Sequence, residues 1–100
     1  RSRPSDFPAV ERDVNLIVDQ TVPWGDVAMA IHGSAGRLLE ECRLVQVWTD
    51  AERLGAGKKS FVVSLRLRSN EGTLAGEDAN RTVEAVVASC GRKCGAVLRA

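Results

Sequence analysis

The stretch from Lys59 to Arg68 alternates with a period of two: Phe61, Val63, Leu65 and Leu67 point one way, Ser60, Val62, Ser64, Arg66 and Arg68 the other. Only a β-strand keeps such a set on one side, because successive side chains leave a strand on opposite faces. One face is therefore destined for a core, and the other must be solvated or covered by a partner. The same periodicity places a strand over about Arg12–Val18, with Val14, Leu16 and Val18 on its apolar side. A further strand is predicted from about Leu39 to Trp48, with Val45 and Val47 inward and Leu44, Gln46 and Trp48 outward.

Between these strands the period changes. Pro23 suits a helix start, Asp26 complements the positive end of the helix dipole, and Val27, Ala30 and Ile31 form an apolar stripe that Gly33 and Gly36 should end. A second helix is predicted from about Gly76 to Cys90, with Glu77 and Asp78 in its first turn and Val83, Val86, Val87 and Cys90 as its stripe. Gly91 and Gly95 should break it before a short last strand at Ala96–Arg99. Residues 49–57 read as a polar, glycine-containing connection, and Ser69–Gly72 as a turn. The order is β-α-β-β-α-β. Right-handed crossovers then place both helices on one face of a four-stranded antiparallel sheet, leaving the other face bare.

A chain of 100 residues makes one domain. Residues 1–9, with Pro4, Pro8 and Phe7 as an anchor, are expected to be an extended lead-in, and residues 10–100 the domain itself. The start without Met suggests a fragment of a longer protein, with no secretory signal and no membrane-spanning segment. A net charge of +1 does not announce a nucleic-acid partner. Charge distribution says more, because Lys58, Lys59, Arg66 and Arg68 cluster in one segment, with Arg37, Arg43 and Arg53 in or near the preceding strand.

Catalytic chemistry is hard to assemble. The single His32 has no nucleophile beside it, and carboxylates are scattered singly. Cys42, Cys90 and Cys94 are odd in number and too few for a four-ligand zinc site with that distant histidine, so no metal is expected and reduced thiols are the default. Gly55–Ser60 faintly resembles a phosphate-binding loop, but Glu52 stands at the first glycine and no helix follows. A sheet face bearing Gln46, Trp48 and Ser60 suits unstacked bases instead. On residues alone, Trp48 could equally be packed beneath the 49–57 loop.

Five short motifs occur in order: Phe7-Pro8-Ala9-Val10-Glu11-Arg12-Asp13, Leu44-Val45-Gln46-Val47-Trp48, Gly57-Lys58-Lys59-Ser60, Thr73-Leu74 and Gly95-Ala96-Val97-Leu98-Arg99. Together they resemble the pattern FPA-x-x-RD, LFDVY, GKKS, TL and GA-x-LR of the ferredoxin-fold anticodon-binding domain that ends the β chain of bacterial phenylalanyl-tRNA synthetases. The resemblance runs from about Ser5 to Arg99. It implies an α+β, ferredoxin-like fold and a tRNA anticodon stem-loop as partner. It further implies a cytoplasmic (αβ)2 heterotetramer with an α chain that holds the catalytic site, ATP and Mg2+ as cofactors of that parent enzyme, and no catalytic residue or cofactor in this chain. Neither a membrane nor DNA is an expected partner.

Carried over by position, the residues that meet the first anticodon base, a guanine, are Gln46, Trp48 and Ser60. Lys58, Lys59, Arg66 and Arg68 are the candidates for phosphates. Gln46 replaces the family's acidic residue and Trp48 its tyrosine: the amide gives an uncharged, weaker contact, while the indole still stacks. Ala75-Gly76 replaces the usual Thr-Asp at the second helix start, a poorer cap.

Two other readings share the topology. An RRM-type RNA binder should present two aromatics outward on its third strand, where this chain has only the inward Phe61. A regulatory or protein-interaction domain would favour an apolar open face, which Arg66 and Arg68 count against.

Overall fold

A computed structural model of the chain describes residues 7–99; residues 1–6, most of the expected lead-in, lie outside the described residues. Phe7 is tied to the sheet through its carbonyl, which accepts from the Arg68 guanidinium. The elements are β1 (Val10–Asp19), α1 (Trp24–Ala35), β2 (Leu39–Trp48), a four-residue α2 (Ala51–Leu54), β3 (Lys58–Leu67), α3 (Gly76–Cys94) and β4 (Val97–Leu98). The strands form one antiparallel sheet in the order β2-β3-β1-β4. This is the expected ferredoxin-like arrangement.

The core lies between this sheet and the α1–α3 layer. Leu16 and Val18 from β1, Val63, Leu65 and Leu67 from β3, Val27 and Ile31 from α1, and Val86 and Cys90 from α3 are all fully buried. These are the residues that the two periods select, which is why the alternating strands and striped helices can share one apolar layer. Trp24 is structural: its ring meets Phe61 edge-on at 5.5 Å.

Several local features depart from the expectations. The inward assignment of Val45 and the outward assignment of Leu44 are both wrong. The β2–β3 register slips between Leu44 and Gln46, so Leu44 faces Val63 and packs on the core, while Val45 is 55% exposed at the bulge. One inserted residue reverses the parity of everything before it. Val47 does lie on the helix side, opposite Phe61, but it stays 48% exposed at the sheet edge.

Gly33 does not end α1, which runs on to Ala35 and stops at Gly36, whose φ of 69° suits a residue without a Cβ. Gly91 likewise lies inside α3, which continues to Cys94 and closes on Gly95 in the left-handed conformation. The 49–57 connection is not featureless: Asp50 caps α2 by accepting from the backbone N–H groups of Glu52 and Arg53, both at 3.1 Å.

Ala75 caps α3 with no side-chain hydrogen bond. Replacing it with serine supplies an acceptor for the first-turn N–H groups, and the unfolding free energy should rise by about 1 kcal/mol. Urea denaturation would show this as a higher midpoint at an unchanged slope.

Candidate nucleic-acid interface

Directly opposed residues of an antiparallel ladder share a face, so the register lays out the side of the sheet turned away from the helices as rows. One row runs Trp48, Ser60, Ile17 and Val97 across β2, β3, β1 and β4. The next runs Gln46, Val62 and Asn15, extended by Arg99, whose backbone N–H donates to the Asn15 carbonyl at 2.8 Å. Farther along lie Arg43, Ser64 and Asp13, then Glu41, Arg66 and Glu11. Trp48, Gln46 and Ser60 therefore stand together on the face without helices.

Their exposures differ. Gln46 is exposed and Trp48 half-buried, whereas Ser60 has 0% exposure. The two long helices cannot account for that burial, since α1 and α3 pack on the opposite face; α2, which follows Trp48 in the chain, does touch β3. The Arg99 guanidinium lies over the Trp48 indole, 5.2 Å from the ring centroid. The Ser60 Oγ beneath finds no hydrogen-bond partner among the described residues.

The basic candidates are dispersed. Lys58 is exposed at the start of β3 opposite Asp19, whose carboxyl the Thr21 N–H and hydroxyl hold below its usual range. Lys59 turns to the helix side, its ammonium 4.9 Å from the Phe61 ring centroid, so it does not share a face with Trp48 and Ser60. Arg66 and Arg68 are on the open face, but six and eight residues along β3 from Ser60, on the order of 20–27 Å. Both are ion-paired, Arg66 with Glu11 at 3.0 Å and Arg68 with Glu40 at 2.7 Å.

The hydrogen bond from Arg68 holds the Glu40 carboxyl below its usual pKa of 4.5. A carboxylate whose pKa falls on folding stabilises the fold above the unfolded value, and that contribution fades as pH drops through the lowered folded value. Acid titration of urea stability should therefore show a decline beginning near pH 4.5 that Glu40→Gln makes shallower.

The three thiols do not gather into a reactive site. Burial pushes Cys90 up to about 11 and raises Cys42 and Cys94, so all three stay protonated near neutral pH. No group of three or more His, Cys, Asp or Glu side chains among the described residues could hold a metal ion.

The family model for the ferredoxin-fold anticodon-binding domain matches residues 5–99. The chain belongs to that family. As an anticodon-binding domain it is 46% identical over 97 residues to the phenylalanine–tRNA ligase beta subunit of Streptomyces avermitilis, covering 97% of this chain and 12% of that protein. It is 43% identical over 95 residues to the corresponding subunit of Thermobifida fusca, covering 95% of the chain and 11% of that protein. With that of Corynebacterium jeikeium it shares 45% identity over 96 residues, 96% of the chain and 11% of that protein. The domain thus spans 11–12% of the length of these relatives.

Residue reasoning missed Arg43 and Arg99 as members of this domain's open face. Arg99 carried a signal, the last position of the GA-x-LR pattern, but nothing in spacing alone brings it to Trp48 from 51 residues away.

Proposed function

We propose that this chain is the anticodon-binding domain of a phenylalanine–tRNA ligase beta subunit and that its bare sheet face holds the anticodon stem-loop of tRNA-Phe. The observation that carries the reading is the placement of Trp48, Gln46 and Ser60 side by side on the face without helices. Trp48 supplies a stacking surface, Gln46 a carbonyl acceptor and an amide donor for a base edge, and Ser60 a hydroxyl. As an amide, Gln46 makes an uncharged contact with guanine, so stacking contributes more of the affinity here than charge does. Lys58 and Arg43, on the same face, are available to adjoining phosphates; Arg66 and Arg68 serve them by exchanging Glu11 and Glu40 for the RNA backbone, and Lys59 by leaving the Phe61 ring.

In this reading the work is binding, and charging of tRNA belongs to the whole cytoplasmic enzyme, an (αβ)2 assembly whose α chain carries the reaction. ATP and Mg2+ would act there. The residues of this domain do not fit them: the described residues group no set of metal ligands, and Gly55–Ser60 leads into a strand instead of a helix end. An RRM-like mode fits poorly, because β3 presents Ser60, Val62 and Ser64 outward while Phe61 is 2% exposed. A protein-contact role on the same fold has one observation in its favour, the neutralisation of Arg66 and Arg68 by carboxylates.

Titration of the purified chain with the tRNA-Phe anticodon stem-loop over a range of salt decides between them. The expected result is binding that weakens as salt rises, by about 0.7 in the log–log slope for each phosphate neutralised. No preference over an unrelated stem-loop would overturn the tRNA reading.

A further inference from the structure

We infer that Arg99 is a built-in occupant of the base site: in the free domain its guanidinium takes the face of the Trp48 indole that a nucleotide base needs, and an incoming base must displace it. This rests on Trp48 and Ser60 being the base-binding residues.

The topology makes the contact unusual. Arg99 follows β4 on one edge of the sheet and Trp48 ends β2 on the other, with β3 and β1 between them. Neighbouring strands stand roughly 4.8 Å apart, so the two side chains must both reach inward across the face to bring guanidinium and indole to 5.2 Å. Together they form a roof over the middle strands. Ser60 lies in the Trp48 row and has 0% exposure, on the face turned away from α1 and α3. Its hydroxyl is fully buried and has no hydrogen-bond partner among the described residues. A buried hydroxyl left unpaired is costly, and the arrangement makes chemical sense when the roof opens to admit a group that hydrogen-bonds to it.

The roof is also built to yield. Arg99 follows a two-residue strand, its backbone N–H donating to the Asn15 carbonyl. A guanidinium on an exposed indole is a weaker contact than a base stacked on an aromatic side chain, so exchange of one for the other favours the base. The displaced guanidinium remains beside the loop.

The chain carries its own core between the sheet and the two long helices, so it can be studied by itself. Trp24→Phe leaves Trp48 as the sole indole of the two and keeps an aromatic ring against Phe61. In that background Arg99→Ala should make Trp48 fluorescence more readily quenched by neutral acrylamide in the free domain; unchanged quenching would show that Arg99 does not cover the ring. In stem-loop titrations at an ionic strength that screens the lost charge, Arg99→Ala should bind about two- to fivefold more tightly, the equivalent of a surface cation–π contact no longer broken. Arg99→Lys, which keeps the charge without the planar stack, should fall between the two. Equal or weaker binding by Arg99→Ala would overturn displacement, because Arg99 would then contribute to the bound state. Should no variant bind RNA, the tRNA reading fails and with it the displacement, while quenching separately reports whether the cap exists.

Discussion

Replacing Trp48 with alanine should weaken binding of the tRNA-Phe anticodon stem-loop by about 1–3 kcal/mol, or roughly 5- to 150-fold. Stacking is sequence-tolerant, because every base has a π-face, so most of this loss should persist when the first anticodon base is changed. Trp48→Phe keeps a ring and should recover much of the affinity. The substitution should leave the helical core intact, since Trp48 sits at the end of an edge strand on the face opposite that core. Paired titration and thermal-unfolding measurements separate the two effects. An unchanged affinity removes the indole from the site.

Ser60→Ala should act in opposite directions on stability and on binding. The hydroxyl is fully buried without a partner among the described residues, and an unsatisfied buried polar group costs about 1–3 kcal/mol. Deleting it should raise the unfolding free energy by a similar amount, about 1–3 kcal/mol. The same deletion removes a hydrogen bond to the base, so stem-loop affinity should drop by about 0.5–1.5 kcal/mol. Urea denaturation and RNA titration of the one variant test both signs. A fall in stability would mean that the hydroxyl is satisfied within the free domain and is not held in reserve for a ligand.

None of the long-range ion pairs of Arg66 and Arg68 could be read from residue spacing. Arg66 meets Glu11 and Arg68 meets Glu40, partners 55 and 28 positions away. A run of arginines on an exposed strand face looks like a phosphate track until the neighbouring strands set carboxylates beside it. Lys59 shows the same point at shorter range: it precedes Ser60 in sequence, but the pleat sends it to the helix side and onto Phe61.

Where the sequence alone sufficed, one rule decided the outcome. In β1 and β3 the hydrophobic period is strong enough to name the buried face residue by residue, because burial of that face is what the fold gains from those segments; in α3 it names Val86 and Cys90 but misses the buried Ala79 and Ser89, and Val83 and Val87 are half-buried. The α3 boundary escaped that rule. Gly91 costs a helix only about 1 kcal/mol relative to alanine, less than the packing of Cys90 beside it and Cys94 beyond it onto the core returns.

From its residues this chain determined that it has an alternating strand with a bare side, two striped helices and a family pattern that sets Gln46, Trp48 and Ser60 on that side. Only the tertiary structure decided that a bulge at Val45 keeps Gln46 and Trp48 outward while turning Leu44 in, that carboxylates meet Arg66 and Arg68, and that Arg99 closes over the indole. The physical reason is the range of the forces: periodicity is written into neighbouring residues, whereas register and cross-sheet contacts exist only once strands distant in sequence pair.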